Sequence, residues 1–354
     1  MNNPSENQET PAFTARAFRD GLKTLPQKIK LRARLPIWAV RVLFGGVLLI
    51  FSEIIVWQNP TARDWYEWLA LYILYTALGA FFLDVISRFR VVTPAAVGLA
   101  CGIYGILSGT LINHSLFDNL PFGLILRTLG LQVGAGFLAL MLFIIVLRGK
   151  PPEIWHIAAA IITGAAWGVW AKWYPQQTLV GWESLTTAQA QTLLVVPLFL
   201  LAGGFGVLPR FQTLTERVFL LTWWEMILCG APLFIALMLG VALGAIPFFL
   251  LIIPVILISY CVWALNAQKS GDTPSILAEI TFAAPNFATY LILASGIVVT
   301  GSIAYAAIPD KDSPIGAALY ILVFGFGIAW LPFASLLLFW SVARAGGFGR
   351  RRNL

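Results

Sequence analysis

The segment LTWWEMILCGAP places one acid, Glu225, in the middle of an apolar run. Thr222 and Cys229 share its helical face, three residues before it and four residues after it. A span from Arg217 to Leu239 would put Glu225 about 12 Å inside the membrane, and Pro232 would free a backbone carbonyl close by. We therefore predict that Glu225, Thr222 and Cys229 bind a substrate or an ion. The alternative is a protonated glutamate that bonds to a neighbouring helix.

A second acid, Glu53 in FSEIIVWQNP, lies only four residues before Trp57, so about 6 Å from the outer end of its helix. Arg127 lies at a similar depth on another apolar run, roughly 8 Å in from Phe122. An ion pair between them would offset the cost of removing both charges from water. We predict a structural Glu53–Arg127 pair, with an anion or proton site as the alternative.

Signatures of common catalytic and cofactor sites are missing from the sequence. The two histidines, His114 and His156, fall near opposite membrane surfaces, so they cannot ligate one haem as a pair. HExxH, GxSxG and Walker A motifs are absent, and we predict no metal and no cofactor. His114, Asp118 and Arg127 are the only visible candidates for an enzyme site at the outer surface.

Composition identifies the environment in which these groups must work. Of 354 residues, 59% are hydrophobic and 11% are charged, and the mean hydropathy is +0.83. A water-soluble globular domain would not tolerate this balance. We predict an all-α polytopic integral membrane protein of about ten transmembrane helices with no soluble domain. Cys101, Cys229 and Cys261 are isolated within the spans, so buried free thiols are expected.

A transmembrane helix needs about 20 apolar residues, and the apolar runs divide most naturally into ten. The predicted spans are Pro36 to Trp57, Trp65 to Phe89, Val92 to Ile112, Phe122 to Leu147, Glu153 to Tyr174, Thr192 to Leu208, Arg217 to Leu239, Ala245 to Leu265, Phe287 to Ile308, and Ile315 to Val342.

Lysine and arginine predict the orientation, because they stay on the cytoplasmic side of short loops. An N-terminus inside leaves only Arg63, Lys172 and Lys311 in outer segments. We predict a plasma-membrane protein with both termini cytoplasmic. The formal net charge of +7 is then an orientation signal, and no nucleic acid partner is expected.

The chain divides into five predicted regions. Residues 1–35 are predicted to form a disordered start and a basic amphipathic cytoplasmic segment suited to anionic lipids, with a flexible basic tail as the alternative. Residues 36–174 hold spans one to five, residues 175–191 an outer loop, residues 192–342 spans six to ten, and residues 343–354 a basic cytoplasmic tail. No cleavable signal peptide is predicted.

The first five spans are marked by glycines at a spacing that allows close helix packing. Such small-residue stripes let two backbones approach where lipid offers no hydrophobic drive. The predicted packing positions are Gly98, Gly102, Gly105, Gly109, Gly164 and Gly168. A ridge of Trp167, Trp170 and Trp173 on the fifth span is interpreted as an aromatic belt, with a ligand-stacking wall as the alternative.

Spans six to ten contain interior prolines, which the first half lacks. Each removes a backbone donor, so we predict that its helix kinks or breaks. The predicted breaks lie at Pro197, Pro232, Pro254 and Pro332. Because freed carbonyls need polar partners, this half is expected to hold any polar cavity.

Three function hypotheses remain open. The first is a secondary transporter or permease of unknown substrate, with Glu225 as its coupling or substrate-binding acid. The second is a non-catalytic integral subunit or assembly factor of a larger membrane complex, which would have partner subunits. The third is an intramembrane enzyme for a lipidic substrate, although the missing motifs favour a protein that is not an enzyme.

Overall fold

The computed structural model describes residues 31–58, 60–178, 185–208, 219–268, 274–280, 286–308 and 313–344. Contacts divide the chain into two units, Met1–Leu35 and Pro36–Leu354. The first unit is described only at residues 31–35, which are helical, so the predicted basic amphipathic segment lies outside the described residues. The basic tail from 345 onward lies outside them too.

Within the described ranges, ten helices are long and apolar enough to cross a membrane, as the composition predicts. Their α-helical parts are α1 (Leu31–Leu49), α2 (Trp65–Arg88), α3 (Pro94–Leu107), α4 (Val133–Leu147), α5 (Ile154–Thr178), α6 (Thr187–Val207), α7 (Trp223–Ala242), α8 (Ile252–Gln268), α9 (Phe287–Ala307) and α10 (Pro314–Arg344). The end of the bundle at Trp57 and Arg63 is called the Trp57 end, and the opposite end, at Arg88, the Arg88 end.

Three wider, π-helical segments extend the first spans. They are π1 (Ile50–Ile55) after α1, π2 (Ser108–Ile112) after α3, and π3 (Gly123–Gln132) before α4. All three lie toward the Trp57 end of the bundle. Such segments in helices frequently mark functional sites, and the apolar periodicity gave no indication of them.

The first four spans form the interior of the bundle. In α3, 83% of the most apolar stretch is buried, whereas the corresponding share is 22% in both α7 and α8. Phe44 of α1 contacts Phe82 of α2 and Phe143 of α4, and Phe82 stacks on Tyr104 of α3. The later helices therefore pack around a core that α1 to α4 build.

The glycine positions mark close contacts between helices. A Cβ atom at Gly164 or Gly168 of α5 would collide with the backbone of α9, and one at Gly105 would collide with α4. At Gly98 it would meet the indole of Trp330, and at Gly109 the side chain of Thr128. Gly102 is less crowded, with atoms of Cys261, Trp330 and Leu331 at ordinary contact distance.

No helix breaks at the four predicted prolines, and a kink at these positions stays a prediction. Helices α6, α7 and α10 continue through Pro197, Pro232 and Pro332 without interruption. Pro254 is the third residue of α8, in a first turn where its missing N–H has no intrahelical partner to lose. A membrane helix can pass an interior proline at the loss of a single backbone bond when its neighbours support it.

Candidate functional site

Glu53 is fully buried in π1, at the centre of a polar cluster. Its Oε2 atom accepts a hydrogen bond of 2.6 Å from Nη2 of Arg63, and its Oε1 atom accepts one of 2.6 Å from the Tyr75 hydroxyl. Asn113 donates to the same tyrosine oxygen at 3.2 Å. The Arg63 side chain is 22% exposed, so it connects the buried carboxyl group to the surface at the Trp57 end.

The cluster continues inward through neutral polar groups. The hydroxyls of Tyr75 and Ser108 are 3.3 Å apart, and Ser108 donates to Oε1 of Gln132 at 3.2 Å. Gln132 in turn donates through Nε2 to the carbonyl of Ser52 at 3.3 Å. The hydroxyls of Ser52 and Tyr104 are 2.6 Å apart. We call this set of residues the Glu53 network: Ser52, Glu53, Arg63, Tyr75, Tyr104, Ser108, Asn113 and Gln132.

All three π-helical segments contribute to the Glu53 network. π1 supplies Ser52 and Glu53, π2 supplies Ser108, and π3 supplies Gln132. Polar groups at this depth must find partners inside the protein, because the bilayer core contains no water to bond them. The network therefore ties together the segments in which the helical backbone departs from regular α geometry.

A lateral groove lies on the other side of π1 and π3. It has a volume of about 400 Å³ and runs between α4, α5 and α10, with Ile55 and Val56 beside it. Small residues open it, including Gly130, Gly134 and Ala166. Nothing lies within 4 Å of a Cβ built at Gly134. This space is the lateral groove referred to below.

The lateral groove opens sideways near the middle of the bundle. Ile162 of α5 and Leu322 of α10 both line it, and each is 67% exposed. Each residue lies eight positions after the first residue of its helix, which is about 12 Å. Since those two helices begin at opposite ends, the opening faces the hydrocarbon core of a bilayer rather than either aqueous phase.

Two tryptophans join the lateral groove to π1. Trp167 donates through its indole N–H to the carbonyl of Ile54, and Trp170 to that of Val56, both at 2.9 Å. Both residues line the groove and are at most 3% exposed. The aromatic-belt interpretation is therefore wrong for Trp167 and Trp170, because buried carbonyls where the first span ends need these donors.

Arg127 and Glu53 do not pair, so that prediction is wrong. Glu53 bonds Arg63, which comes much sooner in the chain, while Arg127 donates through Nη1 to Asp118 at 2.8 Å. The Nε atom of Arg127 donates to the Tyr174 hydroxyl at 3.1 Å. Similar depth was therefore a poor guide to pairing, because each side chain bonds a different partner of opposite charge.

Glu225 is far shallower than its apolar surroundings suggest. It is the third residue of α7, and its Oε2 atom accepts hydrogen bonds from the backbone N–H and the hydroxyl of Thr222 at 2.9 and 3.0 Å. Its Oε1 atom lies 2.8 Å from Nη1 of Arg41. The predicted depth of 12 Å is wrong, because α7 begins at Trp223.

Thr222 and Cys229 keep the positions expected relative to Glu225, but their surroundings differ. Thr222 precedes α7 and forms a capping box with Glu225, and Cys229 is a buried free thiol one turn later. Arg41 is fully buried and also donates to the carbonyl of Phe219 at 3.4 Å. This arrangement anchors the start of α7 to α1.

Sequence reasoning overlooked Arg41 and most of the Glu53 network. Arg41 is the only basic residue between Pro36 and Trp57, so an isolated charge in an apolar run was a usable signal. Tyr104 and Ser108 stand four residues apart, which places both on one helical face. Nothing in the sequence indicated that they would meet Glu53.

Groups suited to a metal do not come together in the described part of the chain: no three of its His, Cys, Asp or Glu side chains form such a cluster.

Comparison with known proteins does not assign the chain to a family or a function. No protein-family model matches the chain, and neither a curated protein nor a solved structure is significantly similar to it.

Proposed function

We propose that this protein is a secondary transporter for an apolar or amphipathic molecule that enters the lateral groove from the bilayer, with Glu53 as the proton-carrying group. The observation that carries this proposal is that the Glu53 network and the lateral groove share two segments, π1 and π3. π1 contributes Glu53 to the polar network and Ile55 to the groove, and π3 contributes Gln132 and Gly130 in the same way.

The groove has the features of a site for a small ligand. Its volume of about 400 Å³ falls within the range of roughly 300–1,000 Å³ that is common for ligand pockets. Its lining is almost entirely apolar, and its opening faces the region that acyl chains occupy. A molecule dissolved in the membrane could reach it without crossing water.

Glu53 supports coupling because a change in its charge would alter the bonds that hold π1. Protonation would remove the negative partner of Arg63 and change the bond from Tyr75 in a region of low dielectric. Any shift of π1 would pass to the groove wall through the bonds that Trp167 and Trp170 make to its end. A ligand and a proton could then each bias the same segment, as coupling requires.

The proposal moves the coupling acid from Glu225 to Glu53. Glu225 already uses both carboxylate oxygens, one in a helix cap and one in an ion pair. The lateral groove is not lined by Glu225, Thr222 or Cys229. The surroundings of Glu225 therefore have a structural explanation, an ion pair and a helix cap, which differs from the protonated glutamate of the alternative.

Leaflet exchange in proteoliposomes tests the proposal. Lysophospholipids labelled with the fluorophore NBD would be placed in the outer leaflet, and their movement inward would be followed by extraction with albumin. We expect the protein to accelerate movement and a pH gradient to change the rate. Gly134→Leu, whose side chain would fill the groove, should return the rate to that of protein-free liposomes.

Two variants complete the design. Gly203→Leu is the matched control, because a Cβ at Gly203 also meets nothing within 4 Å but the residue is exposed on α6, outside the groove. Glu53→Gln should abolish the response to the pH gradient. Equal rates for Gly134→Leu, Gly203→Leu and the unchanged protein would overturn the transport site.

Orientation and location belong to the same proposal. We place the Trp57 end outside the cell and both termini in the cytoplasm of a plasma-membrane protein, on the lysine and arginine distribution. The basic segment before residue 35 would then lie on anionic lipids. A membrane-impermeant maleimide should label Thr61→Cys, but not Lys150→Cys, in intact cells. The reverse pattern would invert the assignment.

A second candidate is an integral subunit of a larger complex. Low burial of α7 and α8 favours it, together with Trp223 and Trp224, which are 69% and 76% exposed. Particles purified in native lipid discs should then exceed the mass of one 38.8 kDa chain. Discs that contain one chain alone would favour the transporter.

A further inference from the structure

We infer that the transported molecule is a single-chain amphiphile with an anionic head group, held at Arg127 and Tyr174 with its chain in the lateral groove. This inference rests on the proposed function and names the substrate class of the same site.

Arg127 lies directly beyond the groove at the Trp57 end. It precedes Leu131, a residue of the groove lining, by four positions in π3, which is about one helical turn. Tyr174 follows Trp170, another lining residue, by four positions on α5, and the two rings stack with centroids 4.5 Å apart. The hydrogen bond from Arg127 to Tyr174 therefore spans the same two helices that form the groove walls.

The guanidinium group has the chemistry to bind an anion there. Its side chain is 30% exposed, and its Nη2 atom makes no hydrogen bond to any residue that the structure describes. Arginine binds phosphate and carboxylate groups through parallel N–H donors. Asp118, the anion that now bonds Nη1, has a side chain that is 55% exposed. An incoming head group could take its place without burying an unpaired acid.

The groove favours one extended chain over a compact molecule. It reaches along α5 from Ala159 to Trp170, which is about 16 Å, or roughly half of a 30 Å hydrocarbon core. A groove of that length with a volume of only about 400 Å³ is narrow. With a cation beyond one end and apolar walls below it, the site complements a molecule with one charged head and one tail.

Two matched probes test the inference in the full-length protein. Lysophosphatidylglycerol is anionic and lysophosphatidylcholine is zwitterionic, and both would carry the same diazirine-bearing acyl chain. Cross-links would be quantified and mapped by peptide mass spectrometry. We expect the anionic probe to label α4, α5 and α10 at lower concentration than the zwitterionic probe.

Opposite effects of two variants separate binding from a structural role. Arg127→Gln should weaken labelling by the anionic probe about tenfold, as expected when a charge-assisted hydrogen bond is lost, and should leave the zwitterionic probe nearly unchanged. Asp118→Asn removes the competing anion, so it should strengthen labelling by the anionic probe. If the ion pair only holds the loop in place, both variants should weaken labelling by both probes, and the inference is overturned.

Three further outcomes would each reject part of the inference or of the proposed transport site. Protection by glycerol 3-phosphate at the same concentration as unlabelled lysophosphatidylglycerol would show recognition of a soluble anion, not of an amphiphile. Labelling that Gly134→Leu blocks equally for both probes, without an effect of Arg127→Gln, would keep the groove but reject the anionic head group. Absence of labelling in the groove would reject the proposed transport site itself.

Discussion

Arg41 and Glu225, 184 positions apart in the chain, form a buried ion pair of 2.8 Å that joins α1 to the first turn of α7. The Arg41 guanidinium also lies 5.1 Å from the ring centroid of Trp38. Close by, Asp84 of α2 accepts a hydrogen bond of 2.8 Å from the backbone N–H of Leu221. The start of α7 is therefore held by two acids and one arginine, although α7 itself is among the least buried helices.

Removal of one member of the Arg41–Glu225 pair should strongly destabilise the protein. Arg41→Met leaves a buried carboxylate without its cation, a loss of about 3–5 kcal/mol in the free energy of unfolding. The double variant Arg41→Met with Glu225→Gln should recover much of that loss. Denaturant unfolding in detergent micelles measures both. Arg88→Gln is the control, because its pair with Asp84 has an arginine that is 46% exposed. Additive losses in the double variant would contradict the coupling.

The indole N–H groups of Trp167 and Trp170 should stabilise the end of the first span. Trp170→Phe keeps most of the apolar surface but removes the bond to the buried carbonyl of Val56, at a cost of about 1–3 kcal/mol. Trp167→Phe should cost less, because the carbonyl of Ile54 also accepts a hydrogen bond of 3.3 Å from the backbone N–H of Trp57. Unfolding measurements check this value. Trp263→Phe, at a residue that is 59% exposed, should change stability by less than about 0.5 kcal/mol. Equal effects at all three positions would show that the indole bonds contribute nothing.

Close packing between α5 and α9 should make Gly168 intolerant of any side chain. A Cβ there would meet the carbonyl of Gly301 and the amide nitrogen of Tyr305, which are backbone atoms and cannot rotate away. Gly168→Ala should lower the free energy of unfolding by about 1–3 kcal/mol. Gly203→Ala, in open space on α6, should have little effect. A neutral Gly168→Ala would mean that the two helices separate at little cost.

His114 should make stability fall in mildly acidic solution. It lies between π2 and π3, outside the spanning segments, and its Nε2 atom is buried against Gly240 of α7. Burial lowers the pKa of His114, although nearby Asp118 opposes the shift. The unfolded chain then binds more protons than the native protein below about pH 6.5, so stability decreases as the pH falls through that region.

The His114→Gln variant isolates this contribution. Thermal unfolding of the variant and the unchanged protein between neutral and mildly acidic pH should show a weaker loss of stability in the variant. Other titrating groups remain in both proteins and cancel in the comparison. Parallel pH dependence in the two proteins would contradict a neutral buried imidazole.

The number and placement of the spans followed from the sequence with few errors. Eight of the ten spans begin and end within three residues of their predicted bounds, whereas α6 begins at Thr187 rather than Thr192 and α7 at Trp223 rather than Arg217. The shift of α7 changed the interpretation of Glu225 from a buried acid in mid-membrane to a helix cap. Hydropathy could not locate the boundary, because Val218 to Leu221, which precede α7, are as apolar as the residues within it.

The site depended on information that hydropathy does not contain. Interior prolines pointed to α6, α7 and α10, yet those helices remain continuous and the irregular segments lie in π1, π2 and π3. Glu53 was predicted to lie about 6 Å from the outer end of its helix, because it is four residues from Trp57. Both residues are buried, with Glu53 at 0% and Trp57 at 3% exposure, so a position near the end of the span did not mean contact with water.

The sequence by itself determined that this chain is a bundle of membrane helices, because the free energy of transfer into a bilayer depends on the composition of each segment alone. Only the tertiary structure decided that Glu53 pairs with Arg63, that Arg41 meets Glu225 and that a groove opens between α4, α5 and α10. Those relationships depend on which helices become neighbours and on the angle at which each side chain leaves its helix. A change of one residue in helical register rotates a side chain by about 100°, and the apolar pattern of a membrane span does not specify it.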